Sequence, residues 1–272
     1  MQQIEKGLAF RALHHRDGAF IIPNPWDIGT ARLLAHLGFE ALATTSAGFA
    51  ASVGQQDYTI SRDQMMAHIA VIAAATSLPV SADLQNGFGD SPEIVAEAIR
   101  LAAAAGIVGG SIEDSTGRPD QPIYELEFAV ERIRAAAEAA HAFPFAFTLT
   151  ARAENYITGR PDLNDTIRRL QAYQEAGADV LYAPGLATSE DIAALVSSVD
   201  LPVNVLVGLP GVAWSRSELA AIGVKRISIG SGLARAAYGA FFRAATEMRQ
   251  QGTFTFAENS LTLRAISTLF PE

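Results

Sequence analysis

Short runs of apolar residues recur along the chain, separated by longer alanine-rich stretches punctuated with charged residues. The runs predict strands at residues 19–22, 41–45, 80–84, 108–112, 146–150, 180–183, 203–207 and 226–229. They are too uniformly apolar to alternate between a wet and a dry face, as expected of parallel strands covered on both sides. Residues 93–105 and 127–140 between them have helix-favouring composition. Asp90-Ser91-Pro92-Glu93 offers a cap followed by proline in the first turn, and Ser215 with Glu218 has capping-box form. Glycines after Leu37, Ala105, Ala176 and Ile222 mark turns from helix to strand.

Strands alternating with helices predict an α/β fold, a (β/α)8 TIM-type barrel forming one domain over residues 1–272. A doubly wound open sheet is the alternative, but no Gly-x-Gly-x-x-Gly follows the first strand. Residues 233–251 read as the eighth barrel helix, and 253–272 as a C-terminal helical extension with its helix at 256–270. Its apolar residues Phe254, Phe256, Leu261, Leu263, Leu269 and Phe270 need a cover, either this barrel or a second subunit.

Composition narrows the chemistry. Hydrophobic residues make up 49% of the chain, enough for a large buried core. The absence of cysteine rules out disulfides, thiolate metal sites and a cysteine nucleophile. Lys6 precedes the barrel and Lys225 opens the last strand, so a Schiff-base lysine at the catalytic face is not expected. A formal net charge of −9 makes nucleic acid and anionic membranes poor partners. No apolar run reaches the roughly eighteen residues of a membrane span, and residues 1–6 lack an apolar signal core, so the expected location is cytoplasmic.

Barrel enzymes carry their chemistry where strands end. The polar residues there are Asn24, Asp27, Thr45, Ser46, Asp83, Gln85, Asn86, Glu113, Asp114, Arg152, Glu154, Asn155, Asn204 and Ser231. His14, His15, His36, His68 and His141 fall on predicted helices or before strands and read as surface or packing residues. Asp83 and Glu113 end neighbouring strands, where two carboxylates repel unless protonated or bridged by a cation. Each alone is as readily a helix cap; together, with Asp57 on the preceding loop, they favour Mg²⁺, with Mn²⁺ acceptable to the same donors. Arg152 can grip a carboxylate or phosphonate through two hydrogen bonds, or form a structural ion pair with Glu154 or Glu113. Ser46-Ala47-Gly48 offers small residues whose amides approach an anion, or an ordinary turn. Gly208-Leu209-Pro210-Gly211 and Gly230-Ser231-Gly232 read as tight turns in preference to a phosphate cradle.

These elements, in this order, resemble the isocitrate lyase/phosphoenolpyruvate mutase superfamily. The matching pieces are Thr44-Thr45-Ser46-Ala47-Gly48, Asp57, the run from Ser81 to Gly89, Ser111-Ile112-Glu113-Asp114 and Thr150-Ala151-Arg152, within residues 18–235. The resemblance implies a (β/α)8 barrel, Mg²⁺ and chemistry through a pyruvate-like enolate. It implies Asp83 as direct metal ligand, Asp57 and Glu113 as water-mediated ligands, and Gln85 as a weakened member where the family has an acid. Ser46 with the Ala47 and Gly48 amides becomes the carboxylate cradle and Arg152 the substrate clamp; Asn204, from its place at a strand end, is a further expected substrate contact. C-terminal helices swapped between subunits of a homodimer or homotetramer would cover the apolar tail.

The segment after Glu113 departs from the family. It reads Asp114-Ser115-Thr116-Gly117-Arg118-Pro119-Asp120-Gln121-Pro122, without the cysteine of the lyases or the lysine- and asparagine-bearing gate of the mutases. The expected reaction is Mg²⁺-dependent carbon–carbon lysis of a small 2-oxo or 2-hydroxy di- or tricarboxylate, such as isocitrate, 2-methylisocitrate or oxaloacetate. Arg152 and Glu113 act on it, and Tyr58, Ser115 or a water supplies the proton. The alternatives are a phosphonomutase or phosphonopyruvate hydrolase acting on a P–C bond, and a barrel that binds a 2-oxo acid without turning it over.

Overall fold

The computed structural model describes residues 2–208 and 213–270. In chain order the strands are β1 (Phe20–Ile22), β2 (Leu42–Ala43), β3 (Val80–Asp83), β4 (Gly109–Glu113), β5 (Ser115–Arg118), β6 (Gln121–Ile123), β7 (Thr148–Arg152), β8 (Val180–Tyr182), β9 (Val203–Leu206) and β10 (Arg226–Ser228). The helices are α1 (Gln3–His15), α2 (Ile28–His36), α3 (Ser46–Ser52), α4 (Arg62–Ala74), α5 (Pro92–Ala104), α6 (Leu126–His141), α7 (Leu163–Glu175), α8 (Ser189–Ser197), α9 (Arg216–Ile222), α10 (Gly232–Gln251) and α11 (Leu263–Leu269).

Eight of the strands form one parallel sheet in the order β1-β10-β9-β8-β7-β4-β3-β2, while β5 and β6 make a separate antiparallel hairpin. The sheet curls into a nearly closed (β/α)8 barrel. At the seam, Ala43 N–H donates to the Pro23 carbonyl (3.1 Å). Buried Asn24 reinforces it: its amide donates to Thr44 O (3.0 Å) and its oxygen accepts from the Ile229 (3.0 Å) and Gly230 (2.9 Å) amides. One side chain thus ties β1 to both the first and last neighbours of the seam.

The helices form where local chemistry starts them and the barrel wall receives them. Ser91 caps α5 by accepting from Ile94 N, with Pro92 in the first turn, and Ser215 closes a capping box with Glu218. Helix α5 presents Val95, Ile99 and Ala102 to the core, and α6 presents Ile133 and Ala136. Full burial of a side chain such as Ile99 contributes about 1.5–3 kcal/mol. Helix α1 closes the N-terminal end of the barrel, where Phe10, His14 and Phe20 pack edge to face. Both lysines belong to this end, Lys6 donating to Thr76 O (2.9 Å) and Lys225 to Arg16 O (3.0 Å).

Most strand bounds shift by a residue or two from the sequence expectation, and three larger differences stand out. The fifth barrel strand runs Thr148–Arg152, not 146–150, because Ala146 and Phe147 are buried by packing before the ladder begins; Arg152 is therefore on the strand itself. Only Leu42–Ala43 pair in β2, since Thr45 turns away to cap α3 through the Gly48 amide (3.2 Å). The segment after Glu113, expected as a loop, forms the β5–β6 hairpin.

The tail splits into a 3-10 turn (Thr255–Asn259) and α11, which touches α2. Helix α10 buries Ala234 alone, leaving Phe241 72% and Phe242 71% exposed. Gly230 adopts φ 56°, as a tight turn requires, whereas Leu209, Pro210 and Gly211 lie outside the described residues. No helix among the described residues is long and apolar enough to cross a membrane.

Candidate active site

The C-terminal ends of β3, β4 and β7 deliver Asp83, Glu113 and Arg152 to one cavity of about 220 Å³. At ~30 Å³ per water this holds roughly seven waters, the size of a small acid and well below a drug-sized ligand. Arg152 Nη1 lies 3.2 Å from Asp83 Oδ1 and 3.0 Å from Glu113 Oε2, and its Nε lies 2.9 Å from Glu154 Oε1. The ion pairs to Glu113 and Glu154 raised as an alternative in the sequence are both present. Nη2 has no hydrogen-bond partner among the described residues, so one edge of the guanidinium is open to a ligand.

Electrostatics follow from four carboxylates sharing the mouth with that one guanidinium. Burial raises the Glu113 carboxyl well above the usual range; Arg152 opposes this, while Glu154 and Asp83 add to it. Burial likewise raises Glu154, against the pull of Arg152. Asp57 is raised by burial and by the Asp83 charge. Burial disfavours the Arg152 cation, but Glu113, Glu154 and Asp83 outweigh it and hold the guanidinium protonated.

Asp57 and Tyr58 come from the loop between α3 and α4, and both line the cavity. The Tyr58 hydroxyl donates to Glu113 Oε1. Gln85 does not line the cavity; its amide nitrogen donates to Asp57 Oδ1 (2.9 Å), so it steadies that carboxylate and does not direct an oxygen toward an ion. Tyr58 (φ 64°), Gln85 (φ 49°) and Phe88 (φ 65°) hold left-handed backbone without being glycine, a strain of about 1–3 kcal/mol each that collects around this mouth.

The Ser46-Ala47-Gly48 segment is the start of α3 and not a free turn. Ser46 N–H donates to Asp83 Oδ2 (3.0 Å) and Gly48 N–H to Thr45 Oγ1 (3.2 Å). Ser46 and Ala47 line the cavity but Gly48 does not. A Cβ on Gly48 would stand 2.6 Å from Thr45 Cγ2, so packing explains the glycine.

Asn204 lies deeper, its oxygen accepting from Arg226 Nε (3.0 Å) and its amide donating to Ser228 Oγ (2.9 Å). Ser115 is buried on the hairpin and outside the cavity lining. Asp114 is structural: it accepts from Glu154 N (2.8 Å), Arg169 (3.1 Å) and Tyr173 (2.7 Å), fixing the loop that carries Glu154. Asp27 caps α2 through Thr30 N (2.7 Å), and Asn155 donates to Asp165 (2.8 Å).

The hairpin is pinned over the β3–α5 loop. Arg118 pairs with Asp90 (2.8 Å), whose Oδ1 also accepts from the Tyr124 hydroxyl (2.5 Å), and the Arg132 guanidinium stacks 4.2 Å from the Tyr124 ring centre. Tyr182, Ser228 and Arg226 also line the cavity and were not singled out from sequence. Their signal was a polar or basic residue inside an apolar strand run, which is legible only once the inward face is known.

The donor set suits a hard divalent cation. Asp57, Asp83 and Glu113 offer oxygen alone, and a bound cation would favour the ionised form of the Asp57 and Glu113 carboxyls that burial raises. Among the described residues no three His, Asp or Glu side chains converge closely enough to hold an ion outright, so direct ligands would be few.

The sequence profile of the phosphoenolpyruvate phosphomutase family matches residues 10–249. A Burkholderia cenocepacia J2315 structure described only as a lyase/mutase superposes with TM-score 0.96 at 65% identity, covering 98% of this chain and 95% of that one. The 2-methylisocitrate lyase of Escherichia coli K12 is 32% identical over 205 residues, 72% of this chain and 68% of its own. A phosphonopyruvate hydrolase solved with oxalate and Mg²⁺ is 26% identical at TM-score 0.85, covering 99% of this chain and 95% of that one. With a family profile spanning most of the barrel and relatives of this extent, the chain belongs to the phosphoenolpyruvate phosphomutase family, within the isocitrate lyase/phosphoenolpyruvate mutase superfamily of enzymes.

Proposed function

We propose that this chain is a Mg²⁺-dependent carbon–carbon lyase acting on a small 2-oxo or 2-hydroxy di- or tricarboxylate. The observation that carries the reading is the charge balance of the mouth, where Asp57, Asp83, Glu113 and Glu154 gather near the guanidinium of Arg152 in a cavity the size of a small acid, with Arg226 deeper in the same cavity. The 2-methylisocitrate lyase supports the acid class, and the phosphonopyruvate hydrolase solved with oxalate and Mg²⁺ supports the metal and the size of the ligand.

Asp83 would hold the ion directly, with Asp57 and Glu113 reaching it through water and Mn²⁺ acceptable to the same oxygens. A bound divalent ion supplies Lewis-acid stabilisation of an enolate oxygen. The remaining work falls to side chains. Arg152 binds the substrate carboxylate through its open Nη2 edge, held in place by Glu154 behind it. Ser46 aligns Asp83 through its backbone amide. Tyr58 is the proton donor to the departing enolate carbon; with a 2-hydroxy acid, Glu113, to which its hydroxyl is bonded and whose carboxyl burial raises, takes the substrate's hydroxyl proton and returns it to the tyrosine, whereas Ser115 does not line the cavity. The β5–β6 hairpin lies against the Tyr58 ring at Gly117 and so positions that ring.

The test is a panel of isocitrate, 2-methylisocitrate, oxaloacetate and phosphonopyruvate with Mg²⁺ and with EDTA, repeated in Asp83→Ala. Mg²⁺-dependent cleavage of one of the carbon acids, lost in the variant, is the expected result. Turnover of phosphonopyruvate alone moves the reading to P–C chemistry. Oxalate stabilising the fold while every candidate stays intact identifies a binding barrel without turnover.

A further inference from the structure

A single row of register partners crosses five strands of the barrel. Glu113 is paired with Arg152, Arg152 with Tyr182, Tyr182 with Asn204 and Asn204 with Arg226. All five line the same cavity. The row begins on the last residues of β4 and β7 and ends on the first residue of β10, because barrel strands are tilted to the axis. It therefore descends from the mouth, where the carboxylates are, to the floor above the Phe10–His14–Phe20 plug.

At the foot of this row Arg226 is 5% exposed and makes no ion pair among the described residues. Its Nε donates to Asn204, which passes a hydrogen bond to Ser228 (2.9 Å). That accounts for one of five guanidinium protons. Nη1 is buried without a partner. Burial, with the Arg152 charge adding to it, lowers the group to about 10, so it keeps its proton at neutral pH. The other buried arginines are better partnered, with three hydrogen bonds each: Arg169 meets Asp114, Asp165 and Tyr124 O, and Arg132 meets three loop carbonyls. A buried guanidinium with open donors and no counter-charge is costly, and the carboxylates at the mouth are already held by Arg152.

We propose that Arg226, oriented by Asn204 and Ser228, receives a second carboxylate of the substrate. The chain then selects an extended dicarboxylate over a pyruvate-sized acid, a refinement that rests on the enolate reading of the mouth. Three strand spacings of ~4.8 Å separate Arg152 from Arg226 along the sheet, and both side chains lean inward across part of that distance. The aromatic ring of Tyr182 lines the path between them, its face 5.0 Å from Arg152 Cζ and its hydroxyl 3.5 Å from Ser228 Oγ.

The experiment is calorimetric binding of oxalate, pyruvate and 2-oxoglutarate to the Mg²⁺-loaded full chain and two variants. In the unmodified protein 2-oxoglutarate should bind at least about tenfold tighter than pyruvate. Arg226→Gln should weaken 2-oxoglutarate by about 10- to 100-fold and leave oxalate within about threefold, the cost of one charge-assisted contact. Asn204→Asp keeps the arginine but supplies its counter-charge inside the protein. It should lose 2-oxoglutarate equally and raise Tm, which decides the matter if Arg226→Gln fails to fold. Parity of 2-oxoglutarate with pyruvate, or equal weakening of oxalate and 2-oxoglutarate in Arg226→Gln, overturns the proposal, as does a lower Tm in Asn204→Asp. Failure of oxalate to bind the unmodified Mg²⁺-loaded protein counts instead against the enolate reading of the mouth, since the floor is read from the long acid alone.

Discussion

The Tyr58 hydroxyl donates to the Glu113 carboxylate, joining a loop residue with left-handed backbone to the last residue of β4. A Cβ on Gly117 of the hairpin would lie 3.2 Å from the same ring, so the hairpin packs against this tyrosine. Loop, strand and hairpin meet at one phenol.

Tyr58→Phe removes that hydroxyl and keeps the ring beneath the hairpin. It should lower kcat by about 10²- to 10⁴-fold, the range for a lost general acid. KM and oxalate affinity should stay within about threefold. Steady-state kinetics with oxalate competition reads both, and an undiminished kcat would transfer the donor role to water.

Gln85→Glu replaces the amide that donates to Asp57 with a second carboxylate. In EDTA the variant should lose on the order of 1–3 kcal/mol, because a buried hydrogen bond becomes a like-charge contact. Saturating Mg²⁺ should then raise its Tm by more than it raises that of the unmodified chain. Identical Tm gains in paired thermal melts would separate Gln85 from the ion altogether.

His14 and His68 set an acid limit on stability. Burial, with Arg226 adding to it, lowers His14 from 6.5 to about 3, and burial lowers His68 from 6.5 to about 4. Below pH 6.5 the unfolded chain binds protons that the folded chain refuses, so stability falls as pH drops toward those folded values. Between about pH 7 and pH 5 each histidine should cost about 2 kcal/mol. His14→Leu should flatten that slope in urea unfolding at the two pH values; an unaltered slope would show that His14 titrates normally.

Helix α10 exposes Phe241 and Phe242 side by side, an apolar face that its own barrel does not cover. The protein should associate through this helix and the tail that follows it. Replacing both phenylalanines with glutamate should weaken association by at least about 100-fold, from about 1.5 kcal/mol or more per buried ring. Sedimentation velocity of the two proteins reads this directly, and a monomeric unmodified chain would refute it.

The barrel itself was legible because each of its signals is local. An apolar run of four or five residues, a Ser-Pro cap and a helix-ending glycine report on neighbours in the chain, and Asp83, Glu113 and Arg152 could be placed at strand ends from those runs alone. The hairpin was missed because Gly117 and Pro119 punctuate it like a loop, and its strands gain stability only by lying against Tyr58 and the Asp90 loop. Gln85 reads as an amide standing where an acid would bind water, yet the direction of that amide depends on Asp57, twenty-eight positions away.

What the sequence determined by itself, then, was the alternation of strand and helix, the absence of cysteine, and the carboxylate character of the mouth. Tertiary structure decided which of those groups meet: the three carboxylates around Arg152, Tyr58 on Glu113, Asp114 turned outward into the wall and Arg226 at the floor. The physical reason is the tilt and register of a nearly closed parallel barrel. They bring the last residue of one strand and the first of another into one descending row, and no periodicity along the chain encodes that row.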